Sequence, residues 1–285
     1  MTGTLHNFTA VPELRPYAKV IADVAAEART LGIDVLIAGA FARDLHLHYA
    51  YRIPVARVTE DIDFGLAVPD WQSFSTLRAR LATHRGFAPI GNVQQKMRHP
   101  SGLPVDFVPF SGVENSRREI HWPPDGAEVM TVLGFREALA SAVDVILPGD
   151  VNVSVVSVPA LVLMKFVAWQ DRHYKQPRKD AQDLALLIKH YLDMGNEERL
   201  WSEFPAWVDE PDFDLLRLGP RMLGIDIARQ AGDEARAHLT RMLHEHAIPE
   251  EPSMLAFEMS PHAPERASRM LAGILEGLDE LRRQR

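Results

Sequence analysis

The segment Glu60–Val68, EDIDFGLAV, constrains this chain more than any other. Ile62, Phe64, Leu66 and Val68 alternate with Asp61, Asp63 and Gly65, the period of a strand with one buried face. Residues two apart on a strand point the same way, so Asp61 and Asp63 share the face opposite the apolar set. Two carboxylates that close repel, and they stay ionised together when a cation lies between them. Magnesium (or manganese) suits them, because it takes hard oxygen ligands and keeps places for substrate phosphates.

The flanking sequence fits phosphate chemistry. Ile33–Ala38 reads as a buried strand, Gly39-Ala40 as a turn, and Phe41–Tyr49 as a helix. A glycine there lets backbone N–H groups approach a phosphate, and a following helix N-terminus favours anions. Arg43, one turn further on, offers a charged fork. Tyr51–Arg57 contains Pro54 and reads as a loop. Downstream, Leu103–Phe110 (LPVDFVPF) reads as a strand with Asp106 in its middle. If it pairs beside Glu60–Val68, three acids converge at one edge, the layout in which two cations bridge phosphate oxygens. Each feature also has a plainer reading. The acids can be a strand's solvent face, and Gly39 a simple strand–helix turn. Arg43 can pair with Asp44 or Glu60 on the surface, and Asp106 can be an acceptor in a loop.

Around this centre the pattern predicts a helix over Pro12–Leu31, another from Pro69-Asp70 to about His84, and a hairpin in Gly86–His99. The hairpin's turn signal is Gly91-Asn92, and another turn follows at Ser101-Gly102. Ser111–Asp125 reads as a loop, Glu128–Leu133 as a short strand, Phe135–Ala142 as a short helix and Val151–Val158 as a strand. From Pro159 onward the chain is mostly helical: Pro159–Gln170, Arg178–Leu192, Glu197–Val208, Phe213–Ala231, Glu234–Glu245 and Ala263–Arg283. Pro249–Pro252 is a candidate linker. The expectation is an α+β fold: a mixed sheet with helices in residues 1–158 and a helical lobe in 159–285.

With no cysteine among its 285 residues, the chain has no disulfide, thiolate-zinc or thiol-nucleophile chemistry. A net charge of -8 argues against a wholly basic nucleic-acid surface. No signal peptide and no membrane-length apolar run is visible, which suggests a cytoplasmic protein and no membrane partner.

Four pieces in order, GAFARDL (Gly39–Leu45), TEDIDF (Thr59–Phe64), LPVDFVPF (Leu103–Phe110) and LVLMKFVAWQDR with RKDAQDL (Leu161–Arg172, Arg178–Leu184), resemble nucleotidyltransferases of the polymerase-beta-like superfamily. More closely, the chain resembles the AbiEii/AbiGii toxin-type enzymes of bacterial defence and toxin–antitoxin systems. The resemblance implies that Asp61 and Asp63 are metal ligands and that Asp106 is the third carboxylate, which helps ionise the acceptor hydroxyl. It implies that Gly39, Ala40 and Arg43 face the nucleotide phosphates, that Lys165 reaches those phosphates, and that Asp180 or Asp183 is the acid of the following helix. It also implies that the helical lobe completes the active-site cleft. Ala40 stands where the family commonly has Ser or Gly, so a hydroxyl to the terminal phosphate is missing.

Lys165 lies in an apolar helix, where a lysine can also simply extend to water. Asp180 and Asp183 are three apart and share a helix face, so one can orient Lys165 or bind a nucleotide group; both can equally be charges on a helix surface. The run Lys165–Lys179 carries five cations against one acid, which suggests a phosphate or RNA-backbone patch or a solvated loop. His46 and His48, and His244 and His246, are spaced wrongly for a metal pair. Trp169, Trp201 and Trp207 read as packing residues, and Leu271, Ile274, Leu275, Leu278 and Leu281 as a core or partner-facing stripe. The expected activity is magnesium-dependent transfer of NMP from an NTP to an acceptor hydroxyl. By the resemblance the acceptor is RNA such as tRNA, and a cognate antitoxin protein is a partner. Alternatives are transfer to a small molecule or protein, phosphohydrolysis, or non-catalytic nucleotide binding.

Overall fold

The computed structural model describes residues 6–55, 59, 61–176, 178–210, 214–248 and 250–283. Glu60, Arg57, Phe213 and Pro249, which belong to elements expected above, lie outside them. The chain divides into two compact units, Met1–Ser157 and Val158–Arg285.

In chain order the first unit contains strand β1 (His6–Asn7), helix α1 (Arg15–Thr30), β2 (Asp34–Ala38), α2 (Gly39–Asp44), β3 (Ile62–Val68), α3 (Trp71–Arg85) and β4 (Ala88–Pro89). It continues with β5 (Lys96–Arg98), β6 (Pro104–Ser111), β7 (Glu119–His121), β8 (Val129–Thr131), α4 (Phe135–Ala140), β9 (Val143–Leu147) and β10 (Val151–Val155). Eight strands form one mixed sheet in the order β1-β9-β10-β2-β3-β6-β5-β4, and β7 and β8 form a separate ribbon. β3 lies inside the sheet, antiparallel to β2 and parallel to β6. Its alternation is the expected one: Ile62, Phe64, Leu66 and Val68 are all but inaccessible, while Asp63 is only partly covered. α3 begins where Asp70 accepts a 2.7 Å hydrogen bond from the Ser73 amide and ends at left-handed Gly86, which caps it.

Some elements differ from expectation. Gly39-Ala40 is not a free turn but the first residues of α2, with Gly39 at φ +63°. The helix does not stop at Tyr49; it widens into a π-helical stretch over Leu45–Ala50. β9 was not anticipated: its five residues pair with β10 across a Pro148-Gly149-Asp150 turn and are too short to show a period. β7 lies within the segment expected to be a loop and pairs with β8.

His46, on the π-helical stretch, is buried, and its Nε2 lies 2.7 Å from the Val156 carbonyl. Burial pushes its ring down to about 4, with the Val156 hydrogen bond working the other way. The fold therefore favours the neutral ring. Its contribution is complete above the unfolded value of about 6.5 and is lost as pH falls toward 4, a loss of about 3 kcal/mol. Urea unfolding at pH 7 and pH 4.5 is expected to show wild type losing more stability on acidification than His46→Gln. Equal losses in the two proteins would sink the assignment.

The second unit contains α5 (Val158–Arg172), α6 (Lys179–Lys189), α7 (Glu197–Glu203), α8 (Leu215–Gln230), α9 (Asp233–His246), α10 (Met254–Met259) and α11 (Pro264–Arg283). α10 was not anticipated; six residues give too little periodicity to read. The Leu271, Ile274 and Leu278 stripe of α11 is core. α11 approaches α8 so closely that a Cβ on Gly277 would lie 2.0 Å from the Arg221 carbonyl oxygen. One on Gly224 would lie 2.2 Å from that of Ile274. Arg217 and Arg221 reach across to Glu276 and Glu280 with Nε–oxygen distances of 2.9 and 3.0 Å. Trp169 and Trp207 pack as expected, whereas Trp201 is half-exposed.

Candidate active site

The sheet register assembles the first set of groups. Asp63 is the partner of Ala38 on β2 and of Asp106 on β6, and Asp106 is the partner of Lys96 on β5. Register partners present their side chains on one face. Asp63, Asp106 and Lys96 therefore form a charged row across three adjacent strands. The Lys96 ammonium lies 3.0 and 2.7 Å from the two oxygens of Asp106. Asp61 precedes β3 by one residue.

Gly39 stands directly against this row. A Cβ built on it would lie 1.7 Å from Oδ2 of Asp63 and 2.8 Å from its Cβ. The glycine is thus required by the carboxylate, independently of any ligand. Ala40 is buried.

Arg43 is not on the surface. It and Asp44 are both buried, with the Arg43 Nε 2.8 Å from Oδ1 of Asp44. The other oxygen of Asp44 accepts the Thr59 backbone N–H at 2.9 Å, and the Thr59 hydroxyl donates to Oδ1 of Asp61 at 2.6 Å. Tyr17 donates its hydroxyl to the Thr59 carbonyl at 3.1 Å and stacks on Phe41. A continuous chain, Arg43–Asp44–Thr59–Asp61, thereby fixes Asp61 from the α2 side. Sequence reasoning missed Asp44 and Thr59 as contributors, although both stand inside the motifs GAFARDL and TEDIDF. It also missed Lys96.

The second unit gathers the remaining predicted residues. Lys165 is buried and does not reach to water. Its Nζ is 2.9 Å from Oδ1 of Asp180 and 2.5 Å from Oδ2 of Asp183. Both acids are buried as well, which overturns the helix-surface alternative. Arg172 adds bonds of 2.8 and 2.9 Å to Asp180. Burial works to raise the Asp180 carboxyl. Hydrogen bonds from Arg172 and the charges of Lys165 and Arg172 outweigh it and hold the group at about 2. Burial likewise opposes the charge on Lys165, yet the two aspartates raise it above the ordinary lysine value. Of the basic run, Arg172 is thus engaged with Asp180, and Lys175 lies over the Tyr174 ring at 5.5 Å.

The donors offered by Asp61, Asp63 and Asp106 are all hard oxygens, the set a magnesium-type ion takes. An ammonium already rests on Asp106, so the row accommodates positive charge. In donor chemistry, though not in their present spacing, these residues suit a divalent cation. Among the described residues no three acidic or histidine side chains are drawn together closely enough to hold one as they stand. No helix among the described residues is long and apolar enough to cross a membrane.

Comparison with known proteins adds the following. A family model described as "Nucleotidyl transferase AbiEii toxin, Type IV TA system" matches residues 25–282. No curated protein matches. Among solved structures, the chain is similar to the crystal structure of ANT(2")-Ia in complex with adenylyl-2"-tobramycin. The identity is 16% and the TM-score 0.40, over 67% of this chain and 98% of that one. A solution structure of ANT(2'')-Ia matches with 17% identity and a TM-score of 0.38, over 67% of this chain and 92% of that one.

Proposed function

The chain belongs to the AbiEii nucleotidyltransferase toxin family, and on that premise we propose that it transfers NMP from an NTP to a hydroxyl of an RNA such as tRNA, as the toxin of a toxin–antitoxin pair. The observation that supports the chemistry best is the in-register pair Asp63 and Asp106 with Gly39 closed against Asp63.

In this reading Asp61 and Asp63 hold magnesium (or manganese), which when bound neutralises and polarises the phosphate oxygens. Asp106 accepts the proton of the acceptor hydroxyl. That oxygen forms a bond to the α-phosphorus as the bond to pyrophosphate breaks. Thr59 and Asp44 keep Asp61 in place. Gly39 and Ala40 lie on the phosphate side, and Arg43, held by Asp44, acts on the site through that pairing. Lys165 is held by Asp180 and Asp183 within the second unit and has no phosphate contact in this reading. A cognate antitoxin protein follows from the family's type.

The test is transfer of label from each α-labelled NTP, with Mg²⁺, to total RNA. Labelled RNA with pyrophosphate release is expected, and the Asp61→Ala, Asp63→Ala double variant is expected to lose both. Label on a small molecule or protein instead would refute the RNA acceptor. Loss of NTP without any labelled acceptor would refute transfer. Activity unchanged in the double variant would refute the assigned residues.

A further inference from the structure

Lys96 has no part in the reaction as set out above, yet it is the cation that the register places against the acidic row. Its side chain is 42% exposed and that of Asp106 21%. An ion pair that open is worth only about 0–1 kcal/mol, so stability alone is a weak reason for the placement. Charge is a better one. Asp63 and Asp106 sit side by side on parallel strands, with Asp61 two residues before Asp63. Like charges that close need compensation. The three carboxylates and the Lys96 ammonium together leave two negative charges, the charge one divalent ion cancels. The lysine stem is flexible and its ammonium is a compact point charge, so it can leave Asp106 without disturbing the strand.

We propose that Lys96 is a built-in counter-ion: it occupies Asp106 while metal and nucleotide are absent and yields the carboxylate when they arrive. It thereby sets how readily the site accepts a divalent cation. The inference rests on the reading of Asp61 and Asp63 as metal ligands. It makes Lys96 a residue that tunes the site rather than a catalytic one.

The test needs no turnover. Mn²⁺ is titrated into the nucleotide-free full chain while free Mn²⁺ is followed by electron paramagnetic resonance. Lys96→Met is expected to bind Mn²⁺ roughly three- to tenfold more tightly than wild type, the effect of removing a competing positive charge a few ångströms away. Lys96→Arg, which keeps the charge, is expected to follow wild type, and Asp61→Asn with Asp63→Asn to lose binding. Without metal, Lys96→Met is expected to melt below wild type, and saturating Mn²⁺ to close that gap. Lys96→Gln replaces it if the methionine variant does not fold. Unchanged or weaker Mn²⁺ affinity on loss of the lysine charge overturns the proposal, as does absence of binding in wild type and variant alike. Failure of wild type to label any acceptor, with the Mn²⁺ pattern intact, counts against the transfer reading and leaves Lys96 its role.

Discussion

Gly39→Ala is expected to remove nucleotidyl transfer as completely as Asp63→Asn does. We expect a fall of about a thousandfold, the factor that ~4 kcal/mol of lost transition-state stabilisation represents. The new methyl would stand 1.7 Å from Oδ2, 2.5 Å from Cγ and 2.8 Å from Cβ of Asp63. The carboxylate end can rotate away, but Cβ belongs to a strand paired on both sides and cannot. Relief therefore comes by turning the carboxylate out of its place. Alanine must also hold φ +63° at this position, a left-handed conformation that costs about 1–2 kcal/mol. The two causes separate in a double-mutant cycle. On an Asp63→Gly background the clash is gone, and Gly39→Ala should then lower unfolding stability only by the backbone term. Transfer rates and urea unfolding of the two single variants and the double variant measure this. A Gly39→Ala enzyme within threefold of wild type would show that Asp63 does not need its present position.

Gly277→Ala is expected to destabilise the second unit by at least about 3 kcal/mol, although alanine is the better helix former by about 1 kcal/mol. The obstruction is backbone on every side: the Arg221 carbonyl oxygen at 2.0 Å and the Ile225 nitrogen at 2.8 Å from the added carbon. No rotamer change relieves it, so α8 and α11 must move apart. That lengthens the Arg217–Glu276 and Arg221–Glu280 pairs and opens the packing of Ile274 and Leu278. Urea unfolding followed by circular dichroism reads the effect. A loss below 1 kcal/mol would mean that the helices separate at little cost.

The parts of the fold that were legible in the sequence are those with a repeating pattern. The alternation in Glu60–Val68 announces the strand, because burial of one face enforces period two, although the strand itself starts at Ile62 and leaves Asp61 just before it. Asp106 stood out as an acid inside an apolar strand. The long helices showed their apolar stripes. β7, with three residues, carries no period at all, and β9 is scarcely longer; β5 and β8, equally short, fall inside the hairpin and the short strand expected at Gly86–His99 and Glu128–Leu133.

The supports of the site were hidden for a different reason. Asp44 meets Thr59 fifteen residues away. Such partners are chosen by tertiary packing, which leaves no local trace. That Asp180 and Asp183 are buried follows from Lys165 and not from their own helix. Lys96 is an intermediate case. With the turn already identified at Ser101-Gly102, folding the chain back about it sets residue 98 against 104, 97 against 105 and 96 against 106.

That hairpin has a further consequence. Along β5 the side chains alternate, so Lys96 and its neighbour Met97, which is buried, serve opposite faces of the sheet. Substitutions within the turn disturb the contacts made there, such as His99 with Ser101 and with Asp23 of α1, but leave the pairing of β5 with β6 in step. Insertion or deletion of a single residue there would instead bring Met97 opposite Asp106 and carry the ammonium through to the apolar side. The turn thus works as a ruler: its length is what keeps Lys96 opposite Asp106.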